Sequence, residues 1–216
     1  DDNITEMKKH GHRKAKIRLK QSITPKIAIS AQEAPFLAHL PLPRNNNHIK
    51  HSEILSTKGA VLEVADTNAC QRTIAYQTES HEDLFFEVEH SYEIEANYYD
   101  LFKVMETQKD FPRELSKEEQ KMFQNELAEK SPHILFTDFL YKLLAELTTK
   151  DMTLLEKAYK IYEFVTTQVN YSYMKEYFTI PNISEYCAIN QKGDCGVQAI
   201  LFITLCRMAG IPAKWE

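Results

Sequence analysis

Cys195 is the residue of this 216-residue chain best placed to do chemistry. Glycines stand at positions 193 and 196, Asp194 precedes it, and an apolar run follows through Val197, Ile200, Leu201, Ile203, Leu205 and Cys206. This pattern predicts a helix from about Cys195 to Met208, with Asp194 as N-cap and Gly210-Ile211-Pro212 as its stop. So little polar face predicts burial. A cysteine in the first turn meets unpaired backbone N–H groups and the positive end of the helix dipole. Both favour thiolate and can stabilise an oxyanion in acyl transfer. Gly196 would let a substrate carbonyl approach without meeting a side chain. Asp194 acts in the opposite sense, because a neighbouring carboxylate disfavours a second negative charge.

A buried structural cysteine with glycines that only cap and turn is the competing reading. Cys206, eleven residues on, fits that description and is assigned to packing, as are Cys70 and Cys187, although the Cys187 loop could border the site. The four cysteines have no Cys-x-x-Cys spacing, which argues against a metal site or a disulfide scaffold. No Asp-rich loop with calcium-binding spacing appears, and no metal or other cofactor is expected.

The elements that must hold this helix fall into two grammars. Short alternating runs at 15–19, 27–29, 36–42, 49–55, 60–64, 72–77 and 84–96, separated by turn clusters, predict a β-sandwich-like domain over residues 1–105. In the last run Phe86, Val88, His90, Tyr92, Ile94 and Ala96 share one expected buried face. Glu87, Glu89, Ser91, Glu93 and Glu95 share an expected wet one. Residues 1–13 read as a polar arm. The basic stretch from Lys8 to Lys20 reads as a solvated tail entering an edge strand, with an anionic partner as the alternative.

After Asp100 the pattern is helical. Ser116 and Glu119 resemble a capping box for a helix toward Lys130. Ser131-Pro132 is expected to start a second helix to about Leu147. A third follows Thr153, with Leu154, Leu155, Ala158, Ile161, Tyr162 and Val165 at helical spacing. Residues 169–177 read as extended and 181–191 as loop. The expected organisation is a connector over 106–150 and a catalytic core over 151–216.

Composition sets the outer bounds. With 43% hydrophobic residues, 11 Phe and 11 Tyr, the chain can bury a core and is not disordered. It carries 26 Lys+Arg against 31 Asp+Glu, and neither half is basic, so nucleic acid is not an expected partner. No apolar run reaches the ~18 residues of a membrane span. No signal peptide is visible, and a start at Asp1 without Met leaves compartment open.

The run Lys192-Gly193-Asp194-Cys195-Gly196-Val197, continued by Arg207-Met208-Ala209-Gly210-Ile211-Pro212-Ala213-Lys214, resembles the nucleophile segment of the transglutaminase-like superfamily. Residues 158–173 resemble that family's preceding helix and the Tyr-ending segment after it. Residues 15–100 resemble, more weakly, the β-sandwich that precedes the catalytic domain in many bacterial members. The resemblance implies an α+β, papain-like architecture and a peptide or protein substrate. Cys195 would attack an amide or ester carbonyl to give a thioester. Tyr173 and Gln191 are candidates to complete the oxyanion hole.

The same resemblance calls for a histidine and then an aspartate after the nucleophile helix. All eight histidines lie at or before His133. The expectation is therefore a chain that stops short of its base, and the alternative is a degenerate domain with a binding or structural role. His90 is expected to fill a core position with a satisfied ring, and His133 to sit at a helix start on the surface. A base recruited from either would place its ring within hydrogen-bonding reach of the Cys195 sulfur.

Overall fold

The computed structural model describes residues 2–25, 35–69, 71–79, 84–107 and 111–215, so Cys70 and the run expected at 27–29 lie outside the described residues. Two compact units divide the chain, residues 1–100 and 101–216.

The first unit opens with helix α1 (Asp2–His10), where a polar arm was expected. Its residues are almost all exposed, and Gly11 closes it with N–H donation to Met7 O at 2.8 Å. Among the described residues six strands follow: β1 (His12–Ile23), β2 (Phe36–Pro41), β3 (Ile49–Lys58), β4 (Val61–Val64), β5 (Thr73–Thr78) and β6 (Phe86–Asn97). They form two antiparallel sheets, β1-β6-β3 and β2-β5-β4. Ala38, Leu40, Ile74, Tyr76, Phe86 and Val88 bury the core of this unit. The chain passes from one sheet to the other at Gly59, whose φ of +101° suits glycine. A side chain there would also meet Phe86 at 2.8 Å.

The acidic face of β6 is wet only in part: Glu93 is exposed, Glu89 and Glu95 are half-buried, and the rest is covered. Glu87 is 7% exposed and Ser91 2%. The flanking strands bring cations to it: Lys20 and Lys58 both reach Glu87 at 3.3 Å, Arg18 reaches Glu89 at 2.5 Å, and Lys14 reaches Glu95 at 3.3 Å. The antiparallel registers set Lys14 opposite Glu95 and Lys58 opposite Glu87, while Arg18 and Lys20 reach Glu89 and Glu87 diagonally. Alternation was read correctly. What it could not convey is that the polar face would be covered by long side chains from both neighbours.

His90 is a core residue, 2% exposed, but its ring is only half satisfied. Nε2 lies 2.7 Å from Gln21 Nε2, which also donates to Pro41 O. The amide nitrogen can only donate, so His90 Nε2 accepts and the ring proton sits on Nδ1. Nδ1 is buried and has no partner among the described residues. Burial first, and the Arg72 charge second, hold the ring below its ordinary basicity. In the unfolded chain the ring takes a proton near pH ~6.5, while the folded chain resists it. Stability is therefore fully present above that pH and falls as pH drops through it toward the lower folded value. Urea midpoints measured at pH 7.5 and 5.5 should differ more in the wild type than in His90→Gln. Equal differences would remove His90 as the cause.

The second unit is helical: α2 (Leu101–Thr107), α3 (Lys117–Met122), α4 (Gln124–Leu127), α5 (Asp138–Leu147), α6 (Leu154–Gln168), α7 (Ile183–Asn190) and α8 (Cys195–Met208). Short strands β7 (Asn170–Tyr171) and β8 (Lys192–Gly193) pair in parallel. Ser116 and Glu119 form the expected capping box, and Thr153 and Glu156 form a second one that was not expected. The first of these helices breaks at Phe123 instead of continuing to Lys130. The second does not begin at Ser131-Pro132. Residues 131–133 form a turn, Lys130 bridges Ile134, and α5 starts at Asp138 with Thr137 as its cap. His133 is half-buried in that turn. The segment 181–191, expected as loop, contains α7.

Around α8 packs one core containing Leu140, Ile161, Phe164, Val165, Ile180, Ile183, Val197 and Leu201. No helix among the described residues is long and apolar enough to cross a membrane.

Candidate functional site

α8 begins and ends where the sequence places it, Cys195 and Met208. Its body is buried, with Val197, Leu201, Thr204 and Leu205 at 0% exposure, so the helix start is held by the core behind it. Asp194 caps it, its Oδ1 accepting the Val197 N–H at 3.0 Å. Gln198 reaches back to donate to Gly193 O at 3.0 Å. The pairing of Tyr171 with Gly193 ties the strand after α6 to the residues just before the cysteine.

α7 packs beside this start. Asn182 caps it by accepting the Glu185 N–H at 3.2 Å, and Ser184 donates to His133 O at 2.9 Å. Its buried stripe, Ile183, Ser184, Cys187 and Ala188, has helical spacing. The helix was legible in principle from Asn182 followed three residues later by Glu185. Gln191, in the left-handed region at φ 47°, ends it and turns the chain into β8.

The three described cysteines separate cleanly. Cys187 and Cys206 are buried, at 0% and 2% exposure, and desolvation pushes both thiols up to about 12. Cys195 is exposed. The Cys187 sulfur faces Gly193, 3.3 Å from where a Cβ there would stand, so it packs beneath the loop and does not open onto it.

Tyr177, in a single 3-10 turn (Tyr177–Thr179), is a site neighbour that the sequence does not single out. Its hydroxyl donates to Asp194 Oδ1 at 2.5 Å. A Cβ at Gly196 would stand 2.3 Å from that hydroxyl oxygen. The space beside Gly196, expected to be clear for a substrate carbonyl, is thus occupied by a phenol on this side. Burial, then Asp194, pushes the phenol up to about 12, so it remains a donor at neutral pH.

Tyr173 and Gln191 are not brought into a bonded arrangement with Cys195. Tyr173 is 90% exposed, and neither side chain makes a hydrogen bond among the described residues. No hydrogen bond reaches the Cys195 sulfur among the described residues, so His133 does not stand in the place of a base. Two surface concavities, one lined by Lys14, Lys50, His51 and Glu93 and the other by Arg113, Leu127, Arg207 and Gly210, do not include Cys195.

Arg207 shows why the end of the motif has its form. It is 8% exposed, and its guanidinium donates to Ala213 O at 2.9 Å, Asn125 O at 3.1 Å and Ala128 O at 2.7 Å. The chain turns at Gly210, φ +79°, and returns so that Ala213 N–H meets Glu126 O at 3.1 Å. One side chain therefore joins the last turn of α8, the segment after it and α4.

No curated protein matches the chain. Among solved structures it is similar to one titled a "Putative Cysteine Protease" from Cytophaga hutchinsonii, with TM-score 0.59 and 16% identity, covering 93% of this chain and 67% of that one. At that identity the likeness is one of fold, sheets first and helices after. Residues 141–216 match the family described as the transglutaminase-like superfamily. The segment similar to that family contains the exposed cysteine, its glycines, the buried helix and the Arg207 turn.

Proposed function

We propose that the chain is part of a cysteine acyl-transfer enzyme, a peptidase or amidase, with Cys195 as nucleophile. The observation that carries this is the contrast among the three described cysteines: two are buried with thiols pushed up to about 12, and the third, exposed, stands at the start of a core-held helix. In the reaction, the Cys195 sulfur adds to the carbonyl carbon of a peptide or protein amide. The C–N bond then breaks and the amine leaves with a proton, giving a thioester. Water takes the acyl group to complete hydrolysis, returning the thiol, and an amine in its place would give transamidation. The backbone N–H groups of Cys195 and Gly196, in the first turn of α8, are the proposed donors to the developing oxyanion, on the side that Tyr177 leaves open. Tyr173 and Gln191, exposed near the helix start, are the cleft residues proposed to meet substrate.

Proton transfer in such a reaction calls for a histidine oriented by an aspartate. Neither His90 nor His133 is proposed for that role. His90 is spent on Gln21 in a buried core, and His133 lies in a turn whose backbone supports α7.

Iodoacetamide labelling of the complete protein, followed by peptide mass spectrometry, tests the assignment. Cys195 should alkylate at least about 100-fold faster than Cys187 and Cys206, whose thiolates are scarce at neutral pH. An activated ester should add its acyl mass at Cys195. Slow labelling of all three, with no acyl adduct, would favour a binding or structural role.

A further inference from the structure

Tyr177 touches the residues on both sides of Cys195. Its hydroxyl donates to Asp194 Oδ1 at 2.5 Å, and that same oxygen accepts the Val197 N–H at 3.0 Å. Its ring lies over Gly196, where a Cβ would meet ring carbons at 3.1 and 3.2 Å and the hydroxyl oxygen at 2.3 Å. The position thus needs glycine below and a phenol above, and the phenol needs an acceptor, which Asp194 supplies.

The arrangement resolves a conflict in the motif. An aspartate is a good N-cap, but its carboxylate adjoins a thiol that must ionise, and like charges at this range oppose one another. A carboxylate already bonded to an O–H and an N–H presents less of its charge to a neighbour than a bare one. We propose that Tyr177 is a positioning residue for the Cys195 thiol: by donating to Asp194 it fixes the carboxylate in the helix cap and shares its charge, which eases ionisation of the sulfur beside it. The titratable groups gathered here are few. Asp194 and Cys195 lie on the helix start, Tyr177 and Tyr171 on the segment before α7, and Cys187 faces Gly193 from α7.

The inference gives the nucleophile assignment a supporting residue and rests on it for its place in catalysis, but its test reads the thiol directly. Iodoacetamide alkylation of Cys195 is followed by peptide mass spectrometry from pH 5 to pH 10 in the complete protein. Four forms are compared: wild type, Tyr177→Phe, Asp194→Asn and the double variant. Asparagine keeps the cap acceptor and removes the charge. Tyr177→Phe should move the alkylation midpoint upward and slow labelling below it by about 3- to 10-fold, the rate change for half to one pH unit. Asp194→Asn should move the midpoint downward. In the Asp194→Asn background Tyr177→Phe should do nothing further.

An unmoved midpoint in Tyr177→Phe with an unchanged melting temperature would overturn the proposal. So would a Tyr177→Phe shift that persists once Asp194 is neutral. Should Tyr177→Phe fail to fold, Asp194→Asn alone decides, and an unmoved midpoint there also overturns it. A Cys195 that labels no faster than Cys206, yet shifts with both substitutions as stated, would support the Tyr177 coupling while removing the nucleophile assignment.

Discussion

Cys195→Ser in the complete protein is expected to lower amide or ester hydrolysis by on the order of a thousandfold or more, the scale seen when a covalent nucleophile is removed. The substitution is nearly isosteric. The Cys195 sulfur takes no hydrogen bond among the described residues, and the cap is made by Asp194, so the helix start should survive it. A hydroxyl in that place is far weaker as a nucleophile than a thiol, because so little of it ionises near neutral pH. Cys206→Ala is the matched control. It deletes a buried sulfur and should cost stability through a small cavity while leaving the reaction intact. Retention of full activity by the serine variant would end the acyl-transfer reading. Loss of activity in both variants, with equal loss of fold, would show only that α8 is fragile.

The second large effect is on stability. Arg207→Met should destabilise the chain by about 3–5 kcal/mol, because it removes the donor from carbonyls at 125, 128 and 213 while leaving them in place. Methionine keeps much of the volume, which isolates the lost hydrogen bonds from a cavity. Arg207→Lys should recover only part of the loss, since one ammonium cannot reproduce a planar fork directed at separate acceptors. Urea unfolding followed by circular dichroism reads both. A change under ~1 kcal/mol in Arg207→Met would show that water satisfies these carbonyls and that the guanidinium is not the clasp its bonds describe.

The parts of this protein that were legible from sequence are those where one signal dominates. α8 has a capping aspartate, a nearly continuous apolar body and a glycine stop, and both its ends were placed correctly. α6 follows Thr153 with apolar residues at helical spacing, and the strands of the first unit alternate plainly. The misreadings have particular causes. Ser131-Pro132 looks like a helix start, but Lys130 and Ile134 pair across it and the helix begins only at the Thr137 cap. α7 was hidden because Asn182, Ser184 and Asn190 are common loop residues, and the stripe Ile183–Cys187 is only one turn long. α1 has no buried residue, so no apolar periodicity announces it.

For the candidate site, the cysteine and its cap were readable because they are adjacent in sequence. Tyr177 was not, because it is seventeen residues from its acceptor and only folding brings the two together. The half-satisfied ring of His90 belongs to the same class. Alternation places the residue inward but says nothing about which neighbours have donors to offer.

The cations on β1 also bear on what the chain does in the presence of its own copies. Lys14, Arg18 and Lys20 meet acids on β6, and β1 pairs along its full length with that strand. Its other edge is a twelve-residue ribbon with no strand beside it among the described residues. Two molecules meeting antiparallel through that edge would bring Lys14, Lys16, Arg18 and Lys20 of one against the same four of the other, with no acid interleaved. Charges that fix the register inside the molecule therefore make the ribbon a poor template for a second one.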